Sequence, residues 1–598
     1  MARLARPALE VRSQYDAVVI GSGYGGGVSA SRLARAGLKV AVLERGKEIL
    51  PGAFPASVLA AQNETQISAY GKRIGKSDAL FDVRLGRDVH ALVGCGVGGT
   101  SLINAYVCLS PDNLVFEDER WPLALRTDHY LGIGFHRARE MLAPEVLPAT
   151  STPLKLAALA KAAQAMGRDV ERVPLHITFA SRTNRAGVRQ PACTQCGDCM
   201  GGCNVGAKTT VHSTYLADAV NFGAEIYEGA AVRFVERTRD GLWRVAYQAA
   251  GDDSIVPRRS VLAAVVVVAA GTLGSNEIMM RSRERGLKLS DQLGKRISTN
   301  ADAIAFGYNN DVPVNAIGVG FPARAKVPPP GPAVTGLIDL RRRREPSERL
   351  AVVEASVQSA MASVLPFMLP ASAVSAPKSG RDKEPAAQPA KSLGEIVADA
   401  KTGAEALVAG AYAGPVHRTQ VFLAVGHDSG TGEIVLKGNH VELNWPNALS
   451  DPVFAAIDAT LSRIVAATGG TYVPNPVSNR FLGGNLFTVH PLGGCAMGED
   501  RARGVVDHMC RVFDGDPGKG PAAIHEGLFV CDGSVMPRSL GIHPLLTITA
   551  VAERAMLLFA RERGLPLDVE PKTDAPIREF VAIDPPRSGW RRRWRSQS

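Results

Sequence analysis

The chain has 598 residues, too many for a single hydrophobic core, so two or more domains are expected. Hydrophobic residues make up 45% and charged residues 21%, which excludes a disordered or fibrous chain. The net charge of +10 is concentrated in "RRRRE" (341–345) and "RSGWRRRWRSQS" (587–598) rather than spread along one face, which argues against a nucleic-acid reader.

The opening residues carry no apolar segment before the first strand, so a cytoplasmic protein with reduced cysteines is expected. Ala17 to Ile20 is a continuous apolar run, the pattern of a strand buried on both faces. Gly21, Gly23 and Gly26 follow with G-x-G-x-x-G spacing and open an Ala-rich helix pattern. Gly21 allows a tight turn, Gly23 a close approach of pyrophosphate, and Gly26 close packing of helix on strand. The helix start offers free N–H groups to phosphate. A second apolar strand ends at Glu44, where an acid meets ribose hydroxyls and disfavours a 2′-phosphate. NADP is thereby disfavoured, and NAD and FAD remain.

"LVGCGVGGTSLINAYV" (92–107) is too long and glycine-rich for a simple turn. Gly94, Gly98, Gly99, Ser101 and Asn104 give a second contact region, as a nucleotide of FAD's length needs. "CTQCGDCMGGCNVGAK" places Cys193, Cys196, Cys199 and Cys203 at the C-x2-C-x2-C-x3-C spacing of bacterial ferredoxins, although Asn204 stands where proline usually follows. A [4Fe-4S] cluster, zinc, and reduced packing thiols are the three readings. Cys95, Cys108, Cys495, Cys510 and Cys531 are scattered and read as packing. "AAVVVVAAGTLGSNEIMM" (263–280) is a buried strand that turns at Gly271 into a helix.

Residues 308–480 read as a substrate domain. In it, 418–446 gives three strands with turns at "DSGTG" and "KGNH", and 451–470 gives a helix. Residues 363–413 are rich in Ala, Pro and Ser and read as a loop or lid with an apolar start. "VHPLGGCAMG" then presents His490. "GLFVCDGS" ends a strand at Asp532 and Gly533, and "GIHPLLTITAVAER" presents His543 before a helix. No stretch reads as a membrane span. Residues 566–598 form a basic tail whose interleaved Trp and Arg suit either an anionic bilayer surface, at the inner membrane face, or a solvated, disordered end.

Taken together, GSGYGG at 21–26, Glu44, GCGVGGTS at 94–101, AAGTLGS at 269–275, HPLGGCAMG at 490–498, DGS at 532–534 and HPLLTITAVAER at 543–554 resemble the glucose–methanol–choline (GMC) oxidoreductases. Within that family the chain resembles the cholesterol-oxidase-like branch. The resemblance implies an α/β fold of two domains. A Rossmann-like FAD-binding domain is made of 1–307 and 481–565, with a Cys-rich insert at 190–206. An antiparallel-sheet substrate domain is made of 308–480. It also implies FAD, and oxidation of an alcohol to a carbonyl. "GGTSLIN" has no histidine to tether the flavin, so non-covalent FAD is expected. His490 and His543 match the family's histidine pair over the flavin, with His490 the acid/base and His543 orienting the hydroxyl. Sterol oxidases often carry asparagine at the second position. Glu354 matches a glutamate that faces the steroid hydroxyl there. Its other reading is a solvent-facing edge-strand residue. A bulky apolar alcohol is the expected substrate, with O2 or an electron carrier as acceptor. The alternative is a dehydrogenase for another alcohol or a sugar that passes electrons through the cysteine segment.

Overall fold

The computed structural model describes residues 3–69, 72–252, 257–323, 326–374, 393–438, 440–475 and 485–579. The apolar runs read from the sequence are the centre of a nine-stranded sheet. Its main path runs Ala5–Pro7, Glu225–Glu228, Val40–Leu43, Gln14–Ile20, Arg259–Val268, Trp243–Ala249 and Ala230–Arg237. The strands from Ala5–Pro7 to Arg259–Val268 run parallel. Ile524–Val530 pairs parallel with Val266–Val268, so a segment from the far end of the chain completes the sheet. Ala17, Val18 and Val19 are wholly buried, which explains their unbroken apolar sequence.

The helix Tyr24–Arg35 starts directly from the first glycine motif, and every one of its residues is buried. Its Gly, Ala and Ser residues let it lie close under the helix Leu545–Glu562 and the segment 211–218. Two long cations are carried into that dry interface. Arg32 meets Glu553 in a bidentate pair at 2.8 and 2.6 Å, and the Tyr215 hydroxyl donates to Glu553 at 2.7 Å. Arg35 holds Asp218 the same way, at 2.8 and 2.7 Å. The N-terminal nucleotide unit is thus bolted to the last helix.

The second sheet has six antiparallel strands in the order Thr471–Pro474, Ala303–Tyr308, Gln420–Val425, Ala351–Ala355, Gly336–Asp339 and Glu171–Arg172. Two boundaries therefore move from the sequence reading. Residues 303–307 and 171–172, expected in the FAD domain, belong to this sheet. Of the three strands expected in 418–446, only Gln420–Val425 joins it. Glu433–Lys437 and His440–Asn444 form a separate hairpin. The described parts of the expected 363–413 loop are helical, Leu365–Val374 and Leu393–Ala409, and pack on each other. Residues 375–392 and 580–598, the middle of that segment and most of the basic tail, lie outside the described residues.

A five-stranded sheet links the two halves of the site. Val89–Gly94 pairs parallel with Leu486–Thr488. The first strand runs into the second glycine motif and the other runs into His490.

Glu553→Ala leaves the Arg32 guanidinium buried without its partner. The expected cost is about 3–5 kcal/mol of unfolding free energy, measured by urea denaturation. The double variant Arg32→Met/Glu553→Leu should recover most of it.

Candidate active site

The glycine motifs meet. A Cβ on Gly99 would come within 2.8 Å of the Gly23 Cα, and one on Gly25 within 1.6 Å of the Cys531 carbonyl oxygen. Gly21, at φ +91°, lies against Ala269 O, where the strand Arg259–Val268 has just ended. Four segments far apart in sequence thus close on one cradle. No side-chain cap occupies the start of the helix Tyr24–Arg35, and its first turn contains no acid. Nothing stands within 4 Å of the Gly23 Cβ position, so the cradle is open there.

Glu44 directly follows the strand Val40–Leu43, one residue past the end read from the sequence. Its carboxylate accepts from the Ser22 N–H and hydroxyl at 3.0 and 2.6 Å and from Gly46 N–H at 2.8 Å. Burial raises its pKa, and these donors pull it back. Asp532 is a clamp. It accepts from Gly271 N–H, the Ser275 hydroxyl and both donors of Ser534. Both its oxygens are engaged, so it positions Gly271 and Gly533 rather than presenting a free carboxylate. Ser101 bonds Gly98 O and receives Val211 N–H, bracing the second glycine turn. Asn104 donates to the Tyr24 hydroxyl at 2.8 Å, while its buried Oδ1 has no hydrogen-bond partner.

His490 and His543 come together, with ring centroids 5.4 Å apart and ring planes at 87°. Asp302, which the sequence reading missed, organises the first. Its Oδ1 receives the His490 Nδ1 hydrogen at 2.7 Å, and its Oδ2 receives the N–H groups of Val489 and His490 and the Thr488 hydroxyl. That fixes the ring and its tautomer, leaving Nε2 as an acceptor. His543 is buried, and neither ring nitrogen has a hydrogen-bond partner. Burial, with His490 and Arg341 nearby, holds it well below the usual histidine range, so it is neutral. Asn300 fixes the approach to it, accepting from Leu540 and Gly541 N–H and donating to Ile542 O.

Two buried polar nitrogens beside a fixed imidazole and a glycine cradle form a site for a hydroxyl group next to a dinucleotide. Residues 15–300 and 479–552 match the N- and C-terminal family models of the GMC oxidoreductases. The chain belongs to the GMC oxidoreductase family. It is 26% identical to a cholesterol oxidase of Mycobacterium tuberculosis, over 96% of each chain. It is also 26% identical to a long-chain-alcohol oxidase of Arabidopsis thaliana, covering 90% of this chain and 66% of the relative. A solved structure of a fungal aryl-alcohol oxidase superposes with a TM-score of 0.54 at 16% identity, covering 93% of this chain and all of the other.

GMC oxidoreductases bind FAD, and the residues of this member fit it. The uncapped helix start and the open Gly23 position suit the pyrophosphate. The unpartnered Asn104 Oδ1 and the two free nitrogens of His543 are polar atoms awaiting a ligand.

One expectation does not hold geometrically. Glu354 sits in the middle of the second sheet, fully buried, and its oxygens are taken. Lys155 Nζ donates to it at 2.7 Å, Thr335 donates through N–H and hydroxyl, and Gly336 N–H donates at 2.8 Å. None of its described bonds reaches either histidine. A carboxylate saturated by an ammonium and three further donors is not free to take a hydroxyl proton, and it is not a solvent-facing edge residue either.

None of the nine cysteines forms a disulfide. Among the described residues, no group of three or more His, Cys, Asp or Glu is placed to hold a single metal ion, so zinc has no preformed site.

Asp302 carried no motif signal. The hint available was "STNAD", a run of small polar residues immediately before an apolar strand, which is turn chemistry at a buried place.

Asp302→Asn keeps the shape but loses the charge that orients His490. Flavin reduction by an alcohol substrate should slow about 10–100-fold, with FAD content unchanged. His490→Ala should cost about 100- to 10,000-fold. Stopped-flow absorbance under anaerobic conditions reads both.

Proposed function

We propose that this GMC oxidoreductase oxidises the hydroxyl of a bulky apolar alcohol, a sterol or a long aliphatic alcohol, to a carbonyl with non-covalently held FAD. The observation that carries the chemistry is the Asp302–His490 pair facing the buried, unpartnered His543. His490 Nε2 accepts the hydroxyl proton, and Asp302 stabilises the imidazolium that results. His543, neutral and dry, offers a second hydrogen bond to the same oxygen. Bound FAD supplies the hydride acceptor for the carbinol hydrogen. The imidazolium on His490 loses its proton to solvent before the next turnover.

Apolar substrate chemistry is supported by two things. The helix Leu365–Val374, "LPFMLPASAV", is apolar but for Ser372, packs on the strand Thr471–Pro474 of the second sheet, and leaves Phe367 two-thirds exposed. The relatives named above include oxidases of a sterol and of long-chain alcohols. His543 stands where sterol oxidases often carry asparagine, and that departure favours testing aliphatic alcohols beside sterols. Either O2 or an electron carrier reached by way of the cysteine insert serves as the acceptor in this reading.

The test is an anaerobic titration of the FAD-loaded protein with cholesterol, 1-hexadecanol and glucose in parallel. Bleaching of the oxidised flavin bands by one of the two apolar alcohols, and not by glucose, is the expected result. Bleaching by glucose alone would overturn the substrate class. Readmitting air then reports whether O2 reoxidises the flavin within seconds.

A further inference from the structure

The insert "CTQCGDCMGGCNVGAK" is not consumed by the alcohol chemistry, yet several hydrogen bonds anchor it. Asp198 accepts Gly320 N–H at 2.6 Å and Ser359 N–H at 2.5 Å. Cys196 O accepts Val319 N–H. Asn204, in the place of the ferredoxin proline, accepts Gly52 and Phe54 N–H and donates to Phe54 O. Gln195, Gly197 and Gly202 all adopt positive φ, so the chain curls tightly round its own interior.

That interior is a void. All four cysteines line it, with Tyr106 and Lys208 on its far wall. It admits the centre of a water-sized sphere through about 20 Å³, more than one water needs. Its walls are apolar, so an ordered water would find few partners there. One sulfur has a backbone donor: Gln195 N–H points at Cys193 Sγ at 3.3 Å.

Lys208 is the second observation. It is 4% exposed, and its Nζ donates to three carbonyls, Leu102 O at 3.0 Å, Asn104 O at 2.8 Å and Cys199 O at 3.3 Å.

We propose that Cys193, Cys196, Cys199 and Cys203, which together line this void, hold a four-iron, four-sulfide cluster in it. Lys208 ties the cysteine loop to Leu102 and Asn104 of the second glycine motif, so the cluster lies directly behind the nucleotide cradle. If the alcohol reading holds, the two electrons from one alcohol leave singly to two molecules of a one-electron carrier protein. The two protons go to solvent. Cluster binding itself does not depend on that reading.

The test uses the full chain, purified and reconstituted without oxygen with ferrous iron, sulfide and dithiothreitol, then desalted. About four irons and four acid-labile sulfides per chain are expected, with an electron paramagnetic resonance signal after dithionite. Cys196→Ser and Cys203→Ser, made separately, should each lose most of that iron while retaining FAD. Folded, FAD-loaded wild-type protein with less than about one iron per chain would overturn the proposal. So would iron that is undiminished in both serine variants. The wild-type measurement decides even if a variant fails to fold. Alcohol-driven flavin bleaching, read on the same sample, reports the alcohol reading separately from the iron count.

Discussion

The active site hangs on five residues, Ser298–Asp302, and on the one carboxylate that pins them. Asp428 accepts the Ser298 hydroxyl, both donors of Thr299 and the N–H of Ala301. Burial raises its pKa, and this set of donors works against the rise. So held, the segment can place Asn300 at φ +58° and Ala301 at φ +48°. The left-handed alanine costs about 1–2 kcal/mol, and the surrounding bonds over-determine it. The result is that Asn300 and Asp302 face two different histidine-bearing segments. One fixes the loop before His543 and the other fixes His490. Ser298 also pairs with Leu492, just past His490. A shift in this turn would move both histidines together.

The nucleotide cradle obeys a different constraint, close approach of backbones. Gly99 touches Gly23, Gly25 touches the Cys531 carbonyl, and Gly21 touches Ala269. Side chains at these points would push apart the very strands whose ends define the site. The carboxylates nearby, Glu44 and Asp532, are spent on holding neighbouring turns in shape. The buried Arg32–Glu553 and Arg35–Asp218 pairs then lock the cradle to the helices beneath it. Rigidity is what the chemistry requires, since hydride transfer tolerates little error in distance and angle.

Glu354 shows how an apolar setting can mislead. A lone acid in "LAVVEASVQ" has the pattern of a raised-pKa catalytic group. Its actual partner, Lys155, is 199 residues away, on the helix Leu154–Ala165 packed against the second sheet. The pair is wholly buried on both sides, and it joins that helix to the strand instead of facing the histidines. An ion pair of this kind is legible only when both partners are seen.

The sequence by itself determined the parts that depend on local backbone chemistry. Strand, glycine turn and helix start are written in contiguous residues, because the steric demand of a tight turn and a close phosphate is met within a few positions. The two His-Pro segments and the cysteine spacing were legible for the same reason. Tertiary structure alone decided what depends on partners distant along the chain. It assigned Asp302 to His490 and Lys155 to Glu354, and it set Lys208 beside the four cysteines. It moved residues 171–172 and 303–307 into the second sheet. A side chain's charge, freedom and role are set by what is packed against it, and that packing brings together residues whose separation in sequence leaves no periodic trace.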